Sequence, residues 1–580
     1  MESRWNQASQ GLVSGAFSRR SFLRGAIAAG VLAPATSSIL SACGGGGAAT
    51  TPTSSTSGDG GSGAAQSTAP AATQETGATP AATEEARFGG RIRVGLYEEP
   101  ATLDPHTTTS PPASLIRQHI YETLVALGDE LELVPMLADS WEASDDGLTY
   151  TFNLRQGITF HDGQPFTGDD VKFTFERILE VSPRGEDYSS ISAIEVIDDH
   201  TVAFHLSEFT APFVSALSQN FAHIAPRKAG EEDIAANGAI TKPIGTGPYE
   251  FVSYTPGQEA VVRRYDGYVP REEPANGLGG RKIAYIDEIV FVPMADANVR
   301  LLALESGEID HMQQFPPAEF DRVEQEGKLQ TSSQPGTDWG ALYFNFTRPP
   351  FNDLRMRQAV AYGINWQQLA DAVFWGRGVV NHSFIPHSQA VWRTPYHDQV
   401  HPYDPDRARQ LVEEYGYDGT PLEWWARNNY RDVTTAQTIQ AMLREIGINI
   451  EIRTLEPAAF LDGIYIRRQG GTPEWPMVTT TSSSFRPDPD QHYYQRVHSS
   501  AHAGMYNNPE YDRIVEEARL TADVERRKQL YEEAQRIVME DIPVIITYNA
   551  PYLEAYSKRL KGVVSKDPLS PFFWNVWIEE

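Results

Sequence analysis

One cysteine, Cys43, serves all 580 residues, so everything that folds beyond it must hold together by packing alone. Disulfide staples and thiolate metal sites are excluded for that part of the chain. Cys43 closes the run Leu40-Ser41-Ala42-Cys43. That run follows Ser18-Arg19-Arg20-Ser21-Phe22-Leu23-Arg24 and a short apolar stretch rich in Gly, Ala, Ser and Thr. A twin-arginine pair, a brief hydrophobic segment and a small-residue processing site read as an export signal, residues 1–43, with Cys43 as the lipid-modified residue. Residues 25–42, with Pro34 among them, are too short and too small-sided to fill a bilayer core of about 30 Å. The alternative is plain cleavage after Ala33-Pro34-Ala35, which would release a soluble protein.

Residues 44–87 are almost wholly Gly, Ala, Ser, Thr, Pro and Gln. Such a segment buries too little apolar area to offset the entropy of ordering it. It is expected to be a flexible tether with a mean reach of about 35 Å. Beyond it the chain is long enough for more than one hydrophobic core, and no other apolar run approaches membrane-spanning length. The net charge is −29, from 77 acidic and 48 basic residues. That balance repels phosphate backbones and argues against nucleic acid as a partner.

Hydrophobic periodicity places strands and hairpins first. Ile92 to Leu96 alternates as a strand, and Leu115, Ile116, His119, Ile120 and Leu124 recur at helical spacing. A hairpin joins residues 140–144 to 148–154 around Asp145-Asp146-Gly147, and another spans 194–206. Thr167 to Asp170 start a helix by capping. Later, helices are expected at 299–305, 353–362, 366–374, 434–445, 510–520 and 524–540, with Asp404 capping one that begins at Pro405. Strands are expected at 341–346, 448–452 and 543–548. A helix leading through two residues into a strand marks an α/β protein with mixed sheets.

The order of several segments carries more than any one of them. Val134-Pro135-Met136-Leu137-Ala138-Asp139-Ser140-Trp141-Glu142 is followed by Asp145 to Arg155, by Phe160-His161-Asp162-Gly163-Gln164-Pro165-Phe166 and by Asp169-Asp170-Val171. Further on come Gly245-Thr246-Gly247-Pro248-Tyr249, Leu304 to Asp310, Pro350 to Val360, and Asp488-Pro489-Asp490. This series resembles the large extracellular solute-binding proteins of the dipeptide/oligopeptide type, family 5, which serve ABC importers. The resemblance spans about residues 90–575. It implies a two-lobed, periplasmic-binding-protein-like α/β fold of the type II, three-domain class, with discontinuous lobes. Lobe I is expected at 88–135, 241–340 and 546–580, a small extra domain at 136–240, and lobe II at 341–545. It also implies a monomer at the outer face of the membrane, in periplasm or at the cell surface. There it would bind a peptide or other small polar solute without cofactor or metal and hand it to a membrane permease.

Candidate site residues follow from the same resemblance. The run Thr481, Ser482, Ser483, Ser484, Phe485 and Arg486, with Asp488 beyond it, matches a strand end that lines the family's cleft. Thr107, Thr108 and Thr109 match the family's other cleft loop. Trp339, Tyr343 and Trp392 are aromatic candidates, and Asn345 either lines the cleft or holds backbone at the hinge. Three motifs have plainer readings. His161-Asp162-Gly163 is a tight turn, Gly245-Thr246-Gly247 lacks the third glycine of a dinucleotide loop, and Asp488-Pro489-Asp490 is a proline-stiffened loop more than a metal site. A secreted hydrolase would need a nucleophile or metal motif, and His-Glu-x-x-His and Gly-x-Ser-x-Gly are both absent from the sequence. A sensor signalling through a membrane partner would share every feature above.

Peptide binders of this family carry an aspartate for the ligand's α-ammonium group where this chain has Ser483 and Ser484, unless a shift of a few residues brings Asp488 there. A hydroxyl accepts a hydrogen bond but does not neutralise an ammonium. Dipeptides with free amino ends are therefore expected to bind weakly and Ser484→Asp to strengthen them in calorimetry; tight binding by the native protein would refute this.

Overall fold

The computed structural model describes residues 86–227, 240–464, 471–482, 485–569 and 571–579. The export signal, Cys43, nearly all of the tether, Ser483 and Ser484 lie outside the described residues.

A ten-stranded mixed sheet runs through the molecule. In spatial order its strands are Ile450–Leu455, Leu422–Arg427, Met477–Ser482, Gln330–Phe344, Val544–Tyr556, His311–Met312, Arg91–Leu96, Glu288–Pro293, Glu259–Arg264 and Tyr249–Thr255. Parallel pairing joins Leu422–Arg427 to both its neighbours, and Arg91–Leu96 to both of its own. The remaining pairs are antiparallel.

The two central strands are the long ones. Gln330 to Pro335 pairs with Pro551 to Tyr556 in one half of the sheet, and Trp339 to Tyr343 pairs with Val544 to Asn549 in the other. The register shifts between Pro335 and Trp339, as expected where proline removes a ladder donor. These strands cross from one lobe to the other.

Period-two alternation on the crossing strand sorts its side chains between two cores. Leu342 and Phe344 pack on Trp424, Leu443 and Phe374 beneath helices Leu354–Gly363, Trp366–Phe374 and Tyr430–Glu445. Trp339, Ala341 and Tyr343 face the opposite layer, where Tyr493, Tyr511 and Tyr531 project from helices Asp490–Val497, Pro509–Arg519 and Val524–Asp541. In the first lobe, Ile92, Val94 and Leu96 pack with Ile289 and Phe291 against Leu115, Ile116 and Ile120 of helix Pro111–Ile120. A separate four-stranded antiparallel sheet, ordered Ala138–Ala143, Thr149–Leu154, Thr201–Leu206 and Ile191–Asp198, carries helix Gly168–Val181. That helix begins where Thr167 N–H donates to the Asp170 carboxylate at 2.9 Å. Among the described residues no helix is long and apolar enough to cross a membrane.

Several elements extend beyond their expected bounds. The strand expected at 341–346 begins at Gln330, and the one expected at 543–548 continues to Tyr556. Helix Tyr430–Glu445 starts four residues before its expected Thr434, because Asn429 caps it by accepting from the Asp432 N–H at 2.9 Å. Helix Pro111–Ile120 stops before Leu124.

The Gly245-Thr246-Gly247 turn packs directly on the end of that helix. A Cβ on Gly245 would lie 2.0 Å from the Ile120 carbonyl oxygen, and one on Gly247 2.6 Å from that of His119. Close backbone approach, rather than a phosphate, accounts for both glycines. Gly245→Ala should cost about 1–3 kcal/mol through overpacking. Urea denaturation would show this as a lower midpoint at unchanged slope; an unchanged midpoint would show that the helix end yields freely.

Candidate solute-binding site

The crossing strand Gln330–Phe344 resumes its pairing at Trp339 after the register shift, and the adjacent Asp338 and Trp339 point to opposite faces. Trp339 and Tyr343, four residues apart on one face, line a cavity of about 90 Å³ with Thr480, Arg427, Gln495 and Arg496. Trp339 is 2% exposed and packs edge-on against Phe384 and His492, at centroid distances of 5.5 and 6.0 Å. The Arg496 guanidinium lies 5.7 Å from its ring centroid. Thr481 and Ser482 pair through backbone with Gly340 and Trp339, and from the same strand Thr480 lines the cavity.

Other sequence candidates have different work. The Asn345 amide donates to the Pro473 and Trp475 carbonyls at 3.0 and 2.8 Å, and its oxygen accepts from Thr347 N–H. It holds backbone ahead of strand Met477–Ser482. The Asp488 carboxylate is bound at both oxygens by Arg527, at 2.7 and 2.8 Å, and both side chains are buried. Trp392 donates to the Pro487 carbonyl at 3.1 Å, with the Arg527 guanidinium 4.8 Å from its ring. Arg486 donates to the Gln219 side chain of the extra domain at 2.8 Å, and Phe485 packs against the cluster of Leu127, Phe572 and Trp574. Thr107, Thr108 and Thr109 precede helix Pro111–Ile120, where Arg117 fixes the Thr108 carbonyl at 3.1 Å.

Three charged residues missed in the sequence gather on the other face of the hinge. Asp338 pairs with Arg431 at 3.2 Å, and Asp567 accepts from both the backbone and the hydroxyl of Thr337. Burial raises the Asp338 carboxyl, and burial together with the Asp338 charge pushes Asp567 up to about 6. Tyr97, just past strand Arg91–Leu96, has its phenol pushed up to about 12 by burial, with Glu98 and Asp338 adding to it. The group thus draws on both lobes. Arg431 escaped notice because its helix was expected to begin at Thr434. Asp338 was hidden in a polar stretch with no strand periodicity.

Several contacts between the lobes are polar. Arg377 reaches Asp321 at 2.6 Å and Glu324 at 3.0 Å, with its guanidinium 4.4 Å from the Phe320 ring centroid. Ala211 N–H donates to the Arg519 carbonyl at 3.0 Å, and Gln219 donates to Gln491 at 3.2 Å.

Two lobes sharing a pair of strands, with polar side chains facing one another over the gap, define a binding protein of the hinged, cleft-closing class. Residues 132–504 match the family model described as bacterial extracellular solute-binding proteins, family 5 Middle. The chain is 31% identical to the dipeptide-binding protein of Escherichia coli K12 over 77% of its length and 86% of that protein. It is 30% identical to di/tripeptide-binding protein 1 of Pseudomonas aeruginosa over 83% and 92% respectively. Among solved structures, the ABC transporter-associated periplasmic binding protein DppA of Helicobacter pylori, in complex with peptide STSA, superposes with a TM-score of 0.70. It has 26% identity, over 85% of this chain and 99% of that one. The chain belongs to the family 5 extracellular solute-binding proteins.

Asp490 sits where the extra domain meets the second lobe. It is 1% exposed, neither carboxylate oxygen has a hydrogen-bond partner, and Arg519 stands 3.5 Å away. Burial pushes its carboxyl from the ordinary 3.8 up to about 7; Arg519 and Arg527 oppose the rise, while Asp488 and Asp187 add to it. A folded-state pKa above the unfolded value means the native state binds the extra proton, so stability falls as pH climbs from about 4 to 7. Asp490→Asn should therefore be more stable than the native protein at pH 8, the gap closing toward pH 4. Urea midpoints across that range test this, and parallel pH profiles for the two proteins would refute it.

Proposed function

We propose that this protein is the substrate-binding component of an ABC importer. It holds a peptide-like or other small polar solute reversibly between its lobes and delivers it to a membrane permease. The lobes are taken as 88–135, 241–340 and 546–580 against 341–545, with 136–240 as the extra domain. It works as a monomer without covalent chemistry, anchored through lipid on Cys43 at the outer face of the membrane.

The observation that carries this reading is the pair of shared strands with its register shift at 335–339, in a chain of this family. A hinge of that kind lets two rigid cores rotate while the backbone stays paired. Solute touching both cores stabilises the closed arrangement by its differential affinity, and only by that amount. Polar bridges such as Arg377 with Asp321 and Glu324 break at modest cost, which suits repeated opening. The similarity to binders of dipeptides and tripeptides supports a peptide-like solute.

Mass spectrometry of solute that co-purifies, followed by a thermal-shift screen with that solute, tests the reading. A stabilising ligand recovered intact is expected, together with a smaller radius of gyration on binding. Recovery of a cleaved or otherwise altered product would overturn it in favour of a hydrolase.

A further inference from the structure

We infer that Phe485 is an interlobe latch, a ring carried by the second lobe that holds the cleft shut when no solute is bound. The inference takes the two-lobed, cleft-closing reading above and goes beyond it, to what the lobes do in the absence of solute.

The ring belongs to one lobe by its chain and to the other by its packing. Phe485 begins the turn Phe485-Arg486-Pro487-Asp488 ahead of helix Asp490–Val497. Tyr493 and Val497 of that helix lie in the second-lobe core with Trp339 and Tyr343. The Phe485 ring itself packs with Leu127, Leu131, Leu569, Phe572 and Trp574. Phe573, between the last two, lies in the first-lobe core with Ile92 and Ile289. Those five partners are buried, whereas Phe485 is partly buried, so the ring sits at the rim of the patch and is not one of its core members.

The turn that delivers the ring and the patch that receives it are both held in place. On the second lobe the buried Gln389 amide donates to the Arg486 and Pro487 carbonyls at 3.2 and 2.7 Å, and Trp392 donates to the Pro487 carbonyl at 3.1 Å. On the first lobe the Phe572 and Trp574 rings stack with centroids 4.5 Å apart and planes 8° from parallel. The Lys282 ammonium lies 4.7 Å from the Trp574 ring centroid and pairs with the buried Glu122 at 3.2 Å. With turn and patch both fixed, the ring leaves the patch when the lobes part. The neighbouring polar bridges, from Gln219 to Arg486 and Gln491, exchange for water with little net change. Apolar surface finds no such substitute in water, so the ring adds a bias toward closure that those bridges do not. Solute then enters through a less populated open form.

The test is small-angle X-ray scattering of the full mature protein, stripped of solute by dialysis and checked for its absence by mass spectrometry. Native protein is compared with Phe485→Ala and Phe485→Leu. The open-to-closed ratio fitted from the scattering should rise about tenfold in Phe485→Ala, which is what part burial of one phenyl ring supplies. Phe485→Leu keeps most of the apolar contact and should stay near the native ratio. Equal radii of gyration for all three proteins overturn the latch, as does a native protein that is already open without solute. Circular dichroism guards the comparison: a Phe485→Ala chain that loses its helices makes the ring a core residue and overturns the latch as well. Because no solute takes part, each of these failures leaves the solute-binding reading standing, and that reading falls to the altered product named above.

Discussion

The antiparallel pairing of Gln330–Phe344 with Val544–Tyr556 is the constraint on which the rest depends. Each strand belongs to both lobes, so neither core is complete without a segment that also serves the other. The break in register after Pro335 concentrates bending at a few residues. At Gly336 a Cβ would come within 2.5 Å of the Ala550 carbonyl oxygen, so the two backbones approach there more closely than any other residue would allow. Rigid layers on either side, packed at the density of any protein interior, turn a small local bend into movement of whole lobes.

What faces the gap is chosen for reversibility. An apolar interlobe surface would seal the molecule shut at about 25 cal/mol for every Å² buried. The contacts instead run through Arg377, Asp321, Glu324, Gln219, Arg486 and Gln491, groups that water serves nearly as well when the lobes part. The Phe485 ring packed against Leu127, Phe572 and Trp574 is an apolar contact among these. Deep support is kept separate from this surface. The buried Asp488–Arg527 pair, with Trp392 over the guanidinium, fixes the turn that carries Phe485 and Arg486 without itself facing the partner lobe.

Much of this was legible in the chain. The helices capped by Asp404 and Asp523 came out within a residue or two, because the cap and the apolar face agree. The extra domain's hairpins were legible for the same reason, with alternation bounded by turn residues. The hinge strands were half hidden. The stretch Gln330 to Thr337 is Gln, Thr, Ser, Pro and Gly with no apolar face, and its first six residues are strand only because Pro551 to Tyr556 pairs with them. That is tertiary override of local preference. The cluster of Asp338, Arg431 and Asp567 was illegible for a related reason, since three residues separated by about 90 and 140 positions meet only through the fold. Asn345 and Asp488 show the reverse: the motif was seen, but whether a polar side chain holds backbone or faces a cleft depends on neighbours that sequence order does not supply.

The overall acidity then has to be reconciled with the site. A net charge of −29 raises a negative potential around the whole molecule. At physiological ionic strength that field decays over about 8 Å, so it governs solubility and distant encounters more than what happens inside the fold. The local balance differs on the two faces of one strand. On one side Asp338 pairs with Arg431, and its charge together with burial raises the Asp567 carboxyl; on the other, Arg427 and Arg496 line the cavity with Trp339. Because adjacent residues of an extended strand point oppositely, Asp338 and Trp339 give a single backbone position access to both environments.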